Sequence, residues 1–335
     1  MARLRIGIDI SPLAQTRAGT ARYVQELTAA LERQVDVELH RYGFGGAGRV
    51  VAAVRDAVWY PAVLSTHARR DRVDVLHCPT FRAPLRSSAP LVVTFHDLAV
   101  LRHPEAFNAW TRRYSALTLP RVARIATAIV AVSEFTKREL VELLDVPAEK
   151  VRVILNGVAA PFRREGLASE GDYVLAVSTL EPRKNLQTLV EAFTRADLGN
   201  CELRVAGARG WGDVELNGDG VRYLGFVPDE ELASLYRGAR CVAYVSRYEG
   251  FGLPVLEALA CGAPVVAADL PPIRELADGA AITVDPADPE SIAAGLEQAV
   301  ARRAELSTRG PEAAARYDWD RSAAETLALY RDVAK

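Results

Sequence analysis

The sequence is poor in several residue types, and each scarcity removes a class of function. Of 335 residues only four are cysteines, at positions 78, 201, 241 and 261. None forms a CxxC pair, so neither a disulfide framework nor a thiolate metal site is expected. Cys241 and Cys261 lie in or beside apolar runs and read as small buried hydrophobes. The five histidines include no HExxH or other metal-binding spacing. No apolar run approaches the roughly 18 residues of a membrane span. The longest, 89–95 and 125–132, suit buried strands. A dinucleotide GxGxxG fingerprint and a GxSxG elbow are both missing, which argues against a dehydrogenase and a serine hydrolase. Apolar residues begin almost at Met1, so no leader is expected and a cytoplasmic location is.

What is present describes a folded α/β protein. Half of the residues are hydrophobic and a quarter charged, and the length suits two domains of about 150 residues each. The net charge of −2 hides an asymmetry. Residues 1–168 carry 24 Lys/Arg against 16 Asp/Glu, net +8; residues 169–335 carry 17 against 27, net −10. The basic half is read either as drift in surface composition with no functional meaning or as the face for an anionic partner such as a lipid phosphate or a leaflet surface, with peripheral membrane contact. Nucleic acid is not expected, because no dense Arg/Lys helix is interleaved with stacking aromatics.

Strand and helix patterns alternate in both halves. Apolar strands are expected at 4–10, 35–42, 73–77, 91–95, 128–132 and 151–154, then at 173–177, 201–206, 221–225, 241–245, 264–267 and 281–284. Helical patterns cover 21–33, 50–60, 104–123, 134–144, 185–195, 229–238, 254–260, 273–276, 289–303 and 316–333. Strands apolar throughout imply parallel sheets covered on both faces. The polar stretch 162–172, with Gly166 and Gly171, is the expected boundary. The fold class is two doubly wound domains with a cleft between them, and ligands are expected just beyond the strand ends.

Residues 246–268 are the most informative. A strand ends at Val245, a turn holds Gly250 and Gly252, Pro254 suits the first helical position, and Gly262 followed by Pro264 ends the helix. Glycines let backbone approach a ligand closely, and the helix start favours a phosphate. Glu249 and Glu257 can border one pocket, Glu249 facing a transferred sugar and Glu257 a ribose. By spacing alone the stretch is equally an ordinary strand–loop–helix with two surface acids. The run from Glu249 through Gly250, Phe251, Gly252 and Leu253 to Glu257, continued by residues 258–267, resembles the glutamate–seven residues–glutamate motif of glycosyltransferase family 4. That resemblance, from the Gly19 loop to the final helix, implies the GT-B fold of two facing Rossmann-like domains and a retaining, nucleotide-sugar-dependent transferase.

Other segments fit that implication. Arg183 and Lys184 follow the strand 173–177 and match a fork and a point charge to two phosphoryl groups. They resemble the family's arginine–lysine pair, which neutralises the leaving diphosphate with no metal required. Gly19 and Thr20 open a helix where backbone can near the phosphates, though the family usually has a second glycine where Ala21 stands. His96, at a strand end, can donate to a sugar hydroxyl; with Asp97 it resembles a family element, and Asp97 reads as orienting the loop. Val227 is expected near the base. Ser133 reads as a helix cap and Asn156–Gly157 as a turn. Asp318-Trp319-Asp320 has the spacing of a metal motif but reads as a cap and an anchor. The resemblance implies that the terminal helix returns to the first domain, giving domains 1–165 with 316–335, and 170–315.

The expected donor, by likeness to mannosyltransferase-type members, is GDP-mannose, with a UDP- or dTDP-sugar as the alternative. The acceptor is a glycan, a lipid-linked glycan or a small molecule. An epimerase or hydrolase with the same cleft, and a catalytically inactive nucleotide-sugar-binding subunit, are the competing readings. The intact Glu249, Glu257, Arg183 and Lys184 argue against the latter.

Overall fold

The structure, a computed structural model, describes residues 3–16, 19–46, 48–210 and 214–335. Residues 17 and 18 of the expected loop before the first helix lie outside it. The chain divides into two compact units. Unit 1 comprises residues 1–157 and 318–335, and unit 2 residues 158–317.

Unit 1 holds six strands: β1 (Leu4–Asp9), β2 (Val37–Tyr42), β3 (Val75–Cys78), β4 (Leu91–Phe95), β5 (Ala128–Ala131) and β6 (Val151–Val153). They form one parallel sheet in the order β2-β1-β3-β4-β5-β6. Unit 2 holds β7 (Tyr173–Val177), β8 (Glu202–Ala206), β9 (Val221–Gly225), β10 (Cys241–Tyr244), β11 (Val265–Ala268) and β12 (Ile282–Val284). Its parallel order is β12-β11-β10-β7-β8-β9. Chain order therefore reverses between β1 and β3 in unit 1 and between β7 and β10 in unit 2. Ligands of open α/β sheets bind at such switch points, beyond the strand ends.

All twelve expected strands are present, because fully buried strands advertise themselves as short apolar runs: every residue of β3, β4, β5, β10 and β11 is buried. The helices differ more. The expected 50–60 helix is Arg49–Val54 running into wider π-helical turns, Arg55–Val63, and on into Leu64–Arg70. The helix at 104–123 starts later, at Ala109, where the Asn108 side chain accepts from Thr111 N. A helix at Arg303–Ala314 was not expected, because Gly310-Pro311 reads as a break. Gly310 serves there as a contact surface. A Cβ on it would stand 3.0 Å from the Leu259 carbonyl oxygen of helix Leu253–Ala260, so any larger residue would crowd that approach. Residues 158–165, expected in the first domain, belong to unit 2. Val158 N donates to Tyr317 O (3.1 Å), and the Phe162 ring meets Tyr236 edge-on at 5.9 Å.

The terminal helix, Trp319–Val333, belongs to unit 1. Asp318 caps it by accepting from Asp320 N, and Trp319 meets Tyr23 at 5.8 Å. Gly157 is required beside it, since a Cβ would lie 2.2 Å from Trp319 N. Farther along, Tyr330 OH bonds His77 Nδ1 (2.5 Å), His77 Nε2 bonds Thr94 Oγ1 (2.8 Å), and Thr94 bonds Tyr23 OH (3.0 Å). This buried chain of four side chains ties the last helix to β3, β4 and helix Gly19–Glu32. Burial, with the nearby His96 adding to it, pushes His77 down to about 3.

His77 is thus neutral when folded and has its ordinary value of 6.5 when unfolded. Its stabilisation is complete above pH 6.5 and is lost as pH falls toward 3, because the unfolded chain then binds the extra proton. Calorimetry across that range is expected to show stability falling in the wild type and a shallower fall in His77→Gln.

Candidate active site

The reversal between β7 and β10 gathers the charged residues of unit 2. Beyond β7 a short turn, Pro182–Lys184, carries Arg183 and Lys184, and Asn185 then adopts a left-handed conformation (φ 60°) before helix Leu186–Arg195. Asparagine tolerates that region better than most residues. Its amide also pins three segments. Nδ2 donates to Val245 O (3.1 Å) and Pro286 O (2.6 Å), while Oδ1 accepts from Thr188 Oγ1 (2.8 Å) and Arg247 Nε (3.0 Å). Arg247 N closes onto Arg183 O. The loops after β7 and β10 are thereby stitched together.

This stitching brings Lys184 to Glu249. Lys184 Nζ stands 2.6 Å from Glu249 Oε1 and 3.3 Å from Tyr244 OH. Arg183 Nη1 lies 3.6 Å from Glu249 Oε2 and donates to Tyr248 O at 2.7 Å. Glu249 is 8% exposed. Burial alone would raise its pKa, but the Lys184 and Arg183 charges and hydrogen bonds from Lys184 and Ser246 outweigh burial and hold it at about 2. At neutral pH Glu249 is an ionised acceptor, not a proton donor. A small concavity beside the pair is lined by Ser178, Lys184, Tyr244 and Ser246.

The turn that follows has the geometry its composition suggests. Gly252 is left-handed (φ 105°), and a Cβ there would stand 2.6 Å from Ile273 Cδ1. Pro254 occupies the first turn of helix Leu253–Ala260. Val255 N and Leu256 N both donate to Gly252 O. Pro254 has no N–H, so an anion at this helix start is left with the amides of Leu253 and the glycine turn. Phe251 meets Tyr317 edge-on at 6.0 Å. Glu257 is buried, and its Oε2 accepts from Tyr236 OH at 3.2 Å. Val227 is buried just beyond β9, ahead of helix Asp229–Gly238.

Gly19, Thr20 and His96 lie in unit 1. Gly19 opens helix Gly19–Glu32 and is exposed. His96 Nε2 lies 2.9 Å from Pro79 O, and Tyr23 packs edge-on against the ring at 4.8 Å. Burial lowers its pKa against the opposing pull of Pro79 and Asp97. A carbonyl only accepts, so Nε2 carries the proton and neutral His96 offers Nδ1 as an acceptor. Where the sequence reading expected His96 to donate, the ring nitrogen left over can only accept. Asp97 accepts from Ala99 N and shapes its loop, and Ser133 caps helix Glu134–Leu144. Sequence reading missed Asn185, Tyr244, Ser246 and Tyr236. Asn185, between a basic pair and a helix, was the one detectable by its turn propensity.

Two open parallel sheets, each with a buried carboxylate between two cations at its reversal, define a two-domain α/β protein with ligand sites at its strand ends. The chain belongs to the GT-B glycosyltransferases. Residues 160–316 match the family of Glycosyl transferases group 1, and residues 17–160 match Glycosyltransferase Family 4. The O-antigen chain mannosyltransferase B of Escherichia coli is 32% identical over 291 residues, covering 79% of this chain and 76% of that protein. The D-inositol 3-phosphate glycosyltransferase of Thermobispora bispora is 30% identical, covering 81% and 73%. Among solved structures, sucrose-phosphate synthase from Thermosynechococcus elongatus shares the fold with a TM-score of 0.80 at 18% identity over 98% of this chain and 99% of that one. Anabaena HepE, solved with UDP-glucose, does so at 0.73 and 19%, over 98% and 100%. The protein is a glycosyltransferase. Among the described residues no group of three or more His, Cys, Asp or Glu is placed to hold a metal, and no helix is long and apolar enough to cross a membrane.

Asn185→Ala is expected to cost about 1–3 kcal/mol, since it strands two buried carbonyls and puts alanine in a left-handed conformation. Asn185→Gly removes the backbone part only and should recover a fraction of the loss. Urea denaturation of the two variants measures the difference.

Proposed function

We propose that unit 2 holds the donor, a nucleoside diphosphate hexose, with its diphosphate on Arg183, Lys184 and the amides leading into Leu253. The observation that carries this reading is the buried Lys184–Glu249 pair at the β7/β10 reversal. A cation held there by a carboxylate is oriented before the ligand arrives. In this reading Glu249 accepts hydrogen bonds from hydroxyls of the sugar, Glu257 serves the ribose, and Val227 borders the base. The C1–O bond to the diphosphate breaks, the acceptor oxygen bonds to C1, and the acceptor's proton passes to the departing phosphate oxygen. Charge growing on that diphosphate is stabilised by Arg183 and Lys184, and donors aimed at such charge are worth about 10²–10³ in rate each. Retention of configuration enters the proposal as what the family resemblance implies; with Glu249 held by two cations, it would proceed by front-face departure of the diphosphate rather than through a carboxylate nucleophile.

Two donors remain in competition. The expectation of GDP-mannose is supported by the E. coli relative, named a mannosyltransferase. A UDP-hexose is supported by the neighbour solved with UDP-glucose, and with it the alternative stated for the sequence gains weight over the first choice. Transfer assays with UDP-glucose, UDP-N-acetylglucosamine and GDP-mannose against a pool of glycan and sugar-phosphate acceptors decide between them. Lys184→Ala is expected to lower kcat/KM for the accepted donor by about 10²–10³ with the fold intact by circular dichroism. An unchanged value removes the diphosphate from this site. Donor binding with no transfer to any acceptor would favour the inactive-subunit reading.

A further inference from the structure

The reversal between β1 and β3 in unit 1 carries a second cation-flanked carboxylate, which the donor reading does not use. Asp56 is buried there. Its Oδ1 lies 2.8 Å from Arg55 Nε and 3.4 Å from Arg82 Nε, and its Oδ2 accepts from Trp110 Nε1 at 3.3 Å. Arg55 Nη1 in turn donates to Gln15 Oε1 at 2.8 Å. Arg82 sits over the Tyr114 ring at 5.5 Å. These side chains come from the loop after β1, the turns Arg55–Val63, the loop after β3 and helix Ala109–Ile125.

Two features separate this cluster from an ordinary structural ion pair. Two guanidinium groups face one carboxylate, so one positive charge is left over. The donors are also incompletely met: Gln15 Nε2 is buried without a hydrogen-bond partner, and Arg82 Nε meets Asp56 only as an ion pair, short of a hydrogen bond. A buried donor left unmet is destabilising, and a ligand rich in acceptor oxygens would relieve it. Beside them Trp110 is 56% exposed although its N–H is tied to Asp56. An immobilised, exposed indole offers an apolar plate next to a cationic patch.

We propose that this cluster is the acceptor subsite and that it takes a phosphorylated sugar, the phosphate on Arg82 and Gln15 and the sugar ring against Trp110. The inference rests on the transferase reading above and adds the chemical class of the second substrate. The same chemistry is offered by a soluble sugar phosphate and by a sugar on a prenyl diphosphate.

Calorimetric titration with mannose and mannose 1-phosphate, and flotation with phosphatidylcholine vesicles with and without a prenyl diphosphate-linked sugar, distinguish these sources. Saturable binding of either phosphorylated probe is expected, with mannose at least tenfold weaker. Arg82→Ala should weaken that binding tenfold or more and Trp110→Ala several-fold, while Lys184→Ala leaves it in place. If Arg82→Ala fails to fold, Gln15→Ala and the surface change Trp110→Ala carry the test. Equal binding of mannose and mannose 1-phosphate, no binding of either phosphorylated probe, or binding lost in Lys184→Ala but kept in Arg82→Ala overturns the proposal. UDP and GDP titrated into the same samples keep the two readings apart. Nucleotide binding that depends on Lys184, without probe binding, removes the acceptor inference alone; no nucleotide binding removes the donor reading.

Discussion

The chemistry of unit 2 depends on keeping two opposite charges, Lys184 and Glu249, almost out of water and in contact. Such a pair is stable only when geometry and further hydrogen bonds repay the loss of hydration. The surroundings meet that condition. Tyr244 and Ser246 bond to the pair, Arg183 brings a second cation to the other carboxylate oxygen, and Asn185 locks both loops by reaching two carbonyls on separate segments. Each of these partners acts through a polar group. The site is held by a closed set of polar contacts at one sheet reversal, while the apolar core beneath it fixes the strands that carry the loops.

The two units solve the same geometric problem at opposite ends of the charge balance. Each is a parallel sheet whose order reverses once, and each places a buried carboxylate between two cations at that reversal. In unit 2 Glu181 adds a second acid 3.8 Å from Arg183, so the cations there are nearly balanced until a ligand arrives. In unit 1 the acid is outnumbered and the buried Gln15 Nε2 has no hydrogen-bond partner. That difference separates a site poised to exchange one anion for another from a site still short of one.

The strands and the glutamate-bordered turn were legible because their causes are local. Buried strands are apolar runs, Gly252 is where the chain turns left-handed, and Pro254 stands in the first helical turn. What stayed illegible depends on residues far apart in sequence. The ionisation of Glu249 is set by side chains 65 residues away, and the Asp56 cluster joins Gln15, Arg82 and Trp110 from three separate segments. Helix Arg303–Ala314 was hidden for the opposite reason: a local signal, Gly310-Pro311, was true to type but overruled by close packing on Leu259. His96 was found by position, but whether it donates or accepts followed only from the Pro79 carbonyl.

Net charge says little about where the diphosphate sits. The basic half drew attention as the place for an anion, yet the diphosphate site proposed here lies in the half with a net charge of −10. The conflict disappears on the scale at which charges act. At physiological ionic strength the field of scattered surface acids is screened within about 8 Å, whereas Arg183 and Lys184 act at contact distance in a partly buried setting where screening is weak. Surface acids such as Asp229, Glu230 and Glu231 sit at a helix N-terminus, where they satisfy the helix dipole. Local arrangement therefore decides which anion enters. The summed charge of a domain governs only how it is approached from a distance.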